Sequence, residues 1–229
     1  MLVTCFGGIT VASNTCMALF AQSASHKVTV EYSPALALAD RIRNGQAADV
    51  AILGEPDADA LAQAGRLAAG SKAVVARVGV GVFVRRGAPM PDIAGVEAFR
   101  RAIADARAIA YSDPALGGTA ANYVGRLMDS LDTTGAIKAK TRLTPPSRPL
   151  ADLVVAGGAD FGLTQITEVL ADDRLELVGP LPGPLQFYTL YAASLVASSA
   201  QQDAGKALIA FLASPPAAAV MRAKGFEPR

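Results

Sequence analysis

The chain has 229 residues, long enough for one large domain or for two lobes of about 100 residues each. Its 21 Lys and Arg balance 20 Asp and Glu, and no basic run or aromatic-rich patch is present, so we predict no nucleic-acid partner. Although 52% of the residues are hydrophobic, polar residues break every apolar run before the roughly 18 residues that a membrane span needs. We therefore expect no membrane span.

The first 65 residues alternate apolar strands with amphipathic helices. Strands are predicted over residues 2–6, 27–32 and 49–53. Helices are predicted over residues 11–24, 35–44 and 57–64, the last two of which end at Gly45 and Gly65. This βαβαβα order favours a mostly parallel sheet.

A long strand-rich run from residue 73 to 85 interrupts the alternation, and the glycines inside it suit a crossover between lobes. Beyond it, helices are predicted over 95–105, 119–131 and 150–157, and strands over 108–111, 138–143 and 161–163. A proline-rich stretch, 179–184, is the second crossover, followed by a strand over 187–196 and helices over 201–212 and 215–224. We predict that residues 1–79 and 186–229 form lobe I and that residues 80–185 form lobe II.

The chain offers few residues for metal or nucleophilic chemistry. Its two cysteines, Cys5 and Cys16, lie in apolar segments and are expected to be buried thiols. Its single histidine, His26, lies in a polar turn, which argues against Ser/His or Cys/His nucleophile pairs and against a histidine-rich metal site. We therefore predict no metal, no cofactor and no catalytic residue of the nucleophilic or metal-binding kinds.

The first 22 residues do not resemble a secretory leader, because no basic region precedes them and polar or glycine residues divide their apolar positions. Two alternatives follow. Either the protein is made without a leader and stays in the cytoplasm, or the sequence is that of a mature secreted form with a new Met.

Glycine and hydroxyl residues mark four helix starts, each after a short apolar run: Gly7–Thr10, Tyr32–Pro34, Gly117–Thr119 and Pro146–Arg148. At such a turn, unpaired backbone N–H groups and the positive end of the helix dipole point to one place. The same residues serve as ordinary helix caps. Several such turns in one α/β chain nevertheless indicate a shared site for a small oxyanion or carboxylate. Arg148 in the fourth turn could neutralise a carboxylate at the edge of that site, but a solvated surface arginine is the preferred interpretation.

Short motifs recur along the chain in a particular order: Gly45–Val50 with Asp49, Tyr111–Pro114, Gly158–Gly162, Phe211–Pro215 and Gly225–Pro228. In these motifs the chain resembles, over nearly its whole length, the molybdate-type solute-binding proteins of ABC importers. The resemblance implies the type II periplasmic-binding-protein fold, an α/β fold with two lobes, mixed sheets and a ligand cleft between the lobes. It also implies a periplasmic location and an ABC permease as partner.

That family binds its tetrahedral oxyanion through backbone N–H groups and hydroxyls at helix starts in both lobes. The donors that the resemblance implies here are Gly8, Ile9, Thr10 and Ser33 in lobe I, and Gly118, Thr119 and Ala120 in lobe II. Gln165 stands close to where the family usually has a tyrosine, and Gly-Gly-Ile-Thr replaces its typical Ala-Ala-Ser. These departures would change the ligand that fits.

Two other functions therefore stay open beside the binding of a molybdate-like or tungstate-like anion or a small carboxylate. A related branch of the fold includes aconitate isomerase, which moves a proton within a small unsaturated tricarboxylate, and helix starts hold carboxylates about as readily as molybdate. Such an enzyme needs a general base near the ligand, and the candidates are Asp113, Tyr111, Tyr123 and Glu168. The third possibility is a cytoplasmic anion sensor that never meets a transporter.

Overall fold

The computed structural model describes residues 1–6, 9–24, 27–33, 35–116, 118–145 and 148–228. These residues form two compact units, Met1–Arg77 with Thr189–Arg229, and Val78–Tyr188. The lobe bounds at residues 79/80 and 185/186 stay a prediction.

The described elements follow in chain order. The strands are β1 (Leu2–Phe6), β2 (Thr29–Ser33), β3 (Val50–Gly54), β4 (Ala73–Arg85), β5 (Ile109–Ser112), β6 (Thr141–Thr144), β7 (Phe161–Gln165), β8 (Leu175–Pro180), β9 (Tyr188–Leu195) and β10 (Glu227–Pro228). The helices are α1 (Thr10–Ala24), α2 (Ala35–Arg43), α3 (Glu55–Gln63), α4 (Val96–Asp105), α5 (Thr119–Leu131), α6 (Ala136–Lys140), α7 (Leu150–Val155), α8 (Ile166–Leu170), α9 (Gln202–Leu212) and α10 (Pro215–Ala223).

The predicted strand over residues 138–143 is wrong in its first half, because Ala136–Lys140 forms helix α6 and strand β6 begins at Thr141. The carboxylate of Asp132 accepts hydrogen bonds from the backbone N–H of Lys138 (2.8 Å) and of Ile137 (3.2 Å). These bonds satisfy donors at the start of the helix and hold the pKa of Asp132 below its usual range. Asp132, which caps helix α6, lies several residues before the helix begins. The apolar periodicity does not indicate a cap at that position.

In the first unit, β2, β1 and β3 are parallel neighbours in that order, and β9 pairs with β3 in the antiparallel direction. All five residues of β3 are buried, as expected of a parallel strand that is covered on both faces. Helices α2 and α3 supply part of that cover, since Leu38 and Leu61 pack in one core cluster with Leu53.

Asp49 fixes one end of this sheet. Its backbone N–H donates to the carbonyl of Leu2 (2.8 Å), and its carboxylate accepts the Leu2 N–H (2.7 Å) and the Ser199 hydroxyl (2.6 Å). The amino ends of β1 and β3 are thereby aligned with the segment after β9. The carboxyl ends of β1, β2 and β3 consequently meet at the opposite edge of the sheet.

In the second unit, β6, β5 and β7 are parallel neighbours, and β4 pairs in the antiparallel direction with β7 and with β8. The three parallel strands end at Ser112, Thr144 and Gln165. Their carboxyl ends therefore share an edge, as they do in the first unit.

Among the described residues, no single helix is long and apolar enough to cross a membrane. The pair α9 and α10 meets the length and hydropathy requirements only when the two are taken together, and they are bent by 58°.

The close approach of Gly162 to Phe83 in the second sheet is testable. A Cβ at Gly162 would lie 2.4 Å from a ring carbon of Phe83, a side chain that is completely buried. We expect Gly162→Ala to lower the free energy of unfolding by about 1–3 kcal/mol, because the packed ring has nowhere to move. Chemical denaturation measures this change.

Gly183→Ala is the matched control, since a Cβ there would meet no atom within 4 Å. Its free energy of unfolding is expected to stay within about 0.5 kcal/mol of the wild-type value. Equal stability of the two variants would contradict the tight contact.

Candidate functional site

Three helices of the first unit begin where three parallel strands end. The strand ends are Phe6, Ser33 and Gly54, and the helix starts that follow them are Thr10, Ala35 and Glu55. Phe6 and Ser33 are partners in the strand register, so these two strands end side by side. Ligands of α/β proteins commonly bind outside such carboxyl ends, where the first N–H groups of the helices lack partners within the helix.

The three helix starts differ in whether their first turns carry acidic residues. The first turns of α1 and α2 contain no acidic residue, whereas α3 carries Glu55 and Asp57. The ammonium group of Lys72 lies 3.2 Å from the Glu55 carboxylate and 2.6 Å from that of Asp59. The acidic side chains in the first turn of α3 offset the positive N-terminal end of its dipole. The N-terminal ends of α1 and α2 have no such side chains, so they stay positive and favour an anion.

The structure places three of the predicted lobe I residues at this edge. Ile9 is completely buried and directly precedes α1. Thr10 begins α1 and is partly exposed, and Ser33 ends β2 with 9% of its surface exposed. We call Ile9, Thr10 and Ser33 the first half-site. Gly8, with Gly7 and Pro34, lies outside the described residues.

A hydrogen-bond network holds the start of α1 against β2. The Tyr32 hydroxyl donates to the side-chain carbonyl of Asn14 (2.6 Å) and lies 2.9 Å from the Ser13 hydroxyl. Ser13 in turn donates to the carbonyl of Thr10 (3.1 Å). Burial raises the pKa of Tyr32, so the phenol keeps its proton and the network persists at neutral pH.

Ser33 has a charged neighbour that the sequence analysis missed. Arg41, on α2, donates from Nη1 to Ser33 Oγ (2.5 Å) and from Nη2 to the Glu31 carboxylate (2.8 Å). Its Nε also donates to the side chain of Gln46. Glu31 and Ser33 are two apart on β2 and therefore share a face, a spacing that could have indicated a common partner.

In the second unit, α5 begins at the predicted ligand residues. Gly118 has a φ of +149°, which favours glycine, and its carbonyl accepts the Asn122 N–H (2.9 Å). Thr119 is partly exposed, Ala120 is buried, and the first turn contains no acidic residue. Gly117 lies outside the described residues, as do Pro146 and Ser147, and the neighbouring Arg148 is exposed.

Gln165 is the last residue of β7 and is 4% exposed. It pairs in register with Val80 of β4 and directly precedes α8. We call Gly118, Thr119, Ala120 and Gln165 the second half-site. That either half-site binds a ligand stays a prediction.

Two of the four candidate bases, Asp113 and Tyr123, hold structural hydrogen bonds, and a third, Tyr111, is buried. Asp113 accepts the Ala115 N–H (2.9 Å), which closes a turn. Tyr123 donates to the Leu185 carbonyl (2.8 Å) and stacks on Phe187 with a centroid distance of 4.5 Å. Tyr111 is 6% exposed, and burial raises its pKa, so the phenol stays protonated.

The fourth candidate, Glu168, lies in the first turn of α8, three residues after Gln165. Its side chain reaches solvent, yet the surrounding protein desolvates the carboxyl and raises its pKa, against a hydrogen bond from the Thr164 hydroxyl that lowers it. A carboxyl of raised pKa close in sequence to a predicted ligand residue is a candidate acid or base.

No group of three or more His, Cys, Asp or Glu that could hold a metal ion occurs within the described ranges.

Comparisons with known proteins agree on the fold. A family described as bacterial extracellular solute-binding protein matches residues 1–227. An aconitate isomerase of Pseudomonas sp. is 31% identical over 193 residues, which cover 84% of this chain and 72% of that protein.

Two solved structures are similar over nearly their full length. One is described as the substrate-binding domain of a molybdenum ABC transporter from Clostridium difficile (TM-score 0.79, 17% identity, 99% of this chain and 97% of that one). The other is the periplasmic molybdate-binding protein of Azotobacter vinelandii (TM-score 0.77, 18% identity, 99% and 98%). The predicted α/β fold of the type II periplasmic binding proteins is confirmed.

The two thiols are predicted to be inert in the folded protein. Cys5 and Cys16 are both completely buried, and burial raises their pKa values to about 12 and about 11. Because the thiolate is the reactive form, we expect neither to react with Ellman's reagent at pH 8 in buffer and both to react in guanidinium chloride.

The stability that the two buried thiols contribute depends on pH in a definite direction. Since the folded pKa values are raised, the stability that the protonated thiols contribute is complete below about pH 9 and is lost as the pH rises towards 11 to 12.

In the Ellman's-reagent experiment, rapid reaction of a full equivalent of thiol in the native protein at pH 8 would contradict the burial.

Proposed function

This chain belongs to the family of bacterial extracellular solute-binding proteins, and we propose that its solute is a small oxyanion or carboxylate that binds at the helix starts of these half-sites. The observation that supports this solute is the charge of the helix starts. Helices α1, α2 and α5 follow parallel strands and have no acidic residue in their first turns. An anion would supply the negative charge that these helix ends lack.

The donors of the two half-sites are neutral hydroxyls and backbone N–H groups. Such donors hold an anion through several charge-assisted hydrogen bonds without an ion pair, which allows both binding and release. Release matters for a solute-binding protein that hands its ligand to a permease, and we propose an ABC permease as the partner because the structural relatives include the binding domain of such a transporter.

A thermal-shift panel tests the class of solute. A ligand that binds the folded state alone raises the melting temperature by mass action. We expect at least one of molybdate, tungstate, sulfate, citrate, trans-aconitate and oxalate to raise it at millimolar concentration. If molybdate and tungstate both leave the melting temperature unchanged, the metal-oxyanion version of the proposal fails, and if all six do so, the anion proposal fails.

Alanine substitutions test the two half-sites. With the anion that gives the largest shift, we expect Ser33→Ala and Thr119→Ala each to weaken binding by about 1 to 3 kcal/mol, because a hydrogen bond to a charged ligand is lost. Isothermal titration calorimetry measures the change. Ser130→Ala is the control, since that exposed hydroxyl lies later on α5 and donates to the Leu127 carbonyl. Unchanged affinity in both site variants would place the binding site elsewhere.

A second candidate function is isomerisation of a small unsaturated tricarboxylate. Two observations favour it: the 31% identity with an aconitate isomerase and the raised pKa of Glu168 beside Gln165. In such a reaction a base takes a proton from one carbon of the ligand and a proton returns to another, so the number of protons is conserved. A carboxyl whose pKa lies closer to neutrality serves both steps better than an ordinary one.

Nuclear magnetic resonance of cis-aconitate incubated with the pure protein tests this candidate. We expect the trans isomer to form, the rate to rise with pH through an apparent pKa above the usual glutamate range, and Glu168→Gln to lower the rate at least about 100-fold. Glu97→Gln is the control, because Glu97 is an exposed residue of α4. Absence of the trans isomer with wild-type protein would eliminate the isomerase.

A further inference from the structure

We infer that Arg41 is a positioning residue that fixes the Ser33 hydroxyl as a hydrogen-bond donor for the solute. The inference rests on the proposed function and adds to it a residue that lies outside both half-sites. It starts from the 2.5 Å hydrogen bond between Arg41 Nη1 and Ser33 Oγ.

The hydrogen bond from Arg41 sets the direction of the Ser33 proton. A serine hydroxyl has one proton to donate and two lone pairs with which to accept. Because a guanidinium group donates only, Ser33 Oγ is the acceptor in this pair, and its own proton points to another group. A hydroxyl that accepts from a cation is also polarised and becomes a stronger donor.

The guanidinium group is itself held in place. Each of its three nitrogens has an acceptor: Ser33 for Nη1, Glu31 for Nη2 and Gln46 for Nε. The Glu31 carboxylate, at 2.8 Å, offsets the charge of Arg41. Arg41 is therefore built to orient Ser33 rather than to form the ion pair with the solute itself, and its effect on binding passes through the serine.

A double-mutant cycle separates these roles. With citrate and with molybdate as probes, the affinities of wild type, Arg41→Met, Ser33→Ala and the double variant are measured by isothermal titration calorimetry. For the anion that binds, we expect Ser33→Ala to weaken binding about 10- to 100-fold and Arg41→Met about 3- to 10-fold. In the Ser33→Ala background, Arg41→Met is expected to change affinity less than about 2-fold.

Arg43→Met is the matched control on the same helix, since Arg43 pairs with Asp40 at the exposed surface and is expected to leave affinity unchanged. The Arg41 side chain is 35% exposed, so the methionine variant is expected to fold, and its melting temperature checks this.

Three outcomes would overturn the inference. Equal weakening by Arg41→Met in both backgrounds would mean that the arginine acts on the solute directly, and no weakening would mean that it does not orient Ser33. Either of these two outcomes would overturn the role of Arg41 but leave the proposed function intact, provided that Ser33→Ala still weakens binding. If wild-type protein binds neither citrate nor molybdate, the cycle uses the anion of the thermal-shift panel that gives the largest shift, and if no anion of that panel binds, the proposed solute and the role of Arg41 fail together.

Discussion

The direction of the parallel strands determines where this protein can present unpaired backbone donors. In each unit, three neighbouring strands run the same way, so the loops that leave their carboxyl ends share an edge of the sheet. Each helix that starts there contributes N–H groups and a dipole of the same sign. Asp49 supports this arrangement from the far end of the first sheet, because it aligns the amino ends of β1 and β3.

Acidic side chains then decide which helix starts remain positive. At the first edge, α3 carries Glu55 and Asp57 in its first turn, whereas α1 and α2 carry none. At the second edge, α5 has none and α8 has Glu168. Strand topology is thus similar in the two units, and the choice of anion-favouring helix starts depends on a few carboxylates. Of the four turns that glycine and hydroxyl residues mark, only the one before α7 leads into a helix with an acidic residue, Asp152, in its first turn.

Much of the fold could be predicted from the sequence, because strand and helix periodicity are local properties. The bounds of β4 and α5 agree with the predicted ones, since an extended valine-rich run and a glycine-started amphipathic helix leave little ambiguity. The helix α6 was missed because its cap, Asp132, lies outside the periodic segment. Arg41 was missed for a related reason: the spacing of Glu31 and Ser33 indicates a shared face of β2, but which residue of α2 contacts that face depends on how the helix packs against the strand.

Under the proposed function, Glu168 bears on whether one chain could both bind an anion and isomerise it. An ionised carboxylate close to a bound anion would repel it, and a pure binding protein gains from its absence. The raised pKa removes part of this conflict, because a protonated Glu168 can donate a hydrogen bond to an anion, whereas the ionised form can accept a proton from it. The same shift that makes the carboxyl tolerable beside a solute therefore also makes it suitable for proton transfer. If the proposed solute lies beside Glu168, binding and isomerisation would differ in whether that solute presents an acidic carbon to the carboxyl.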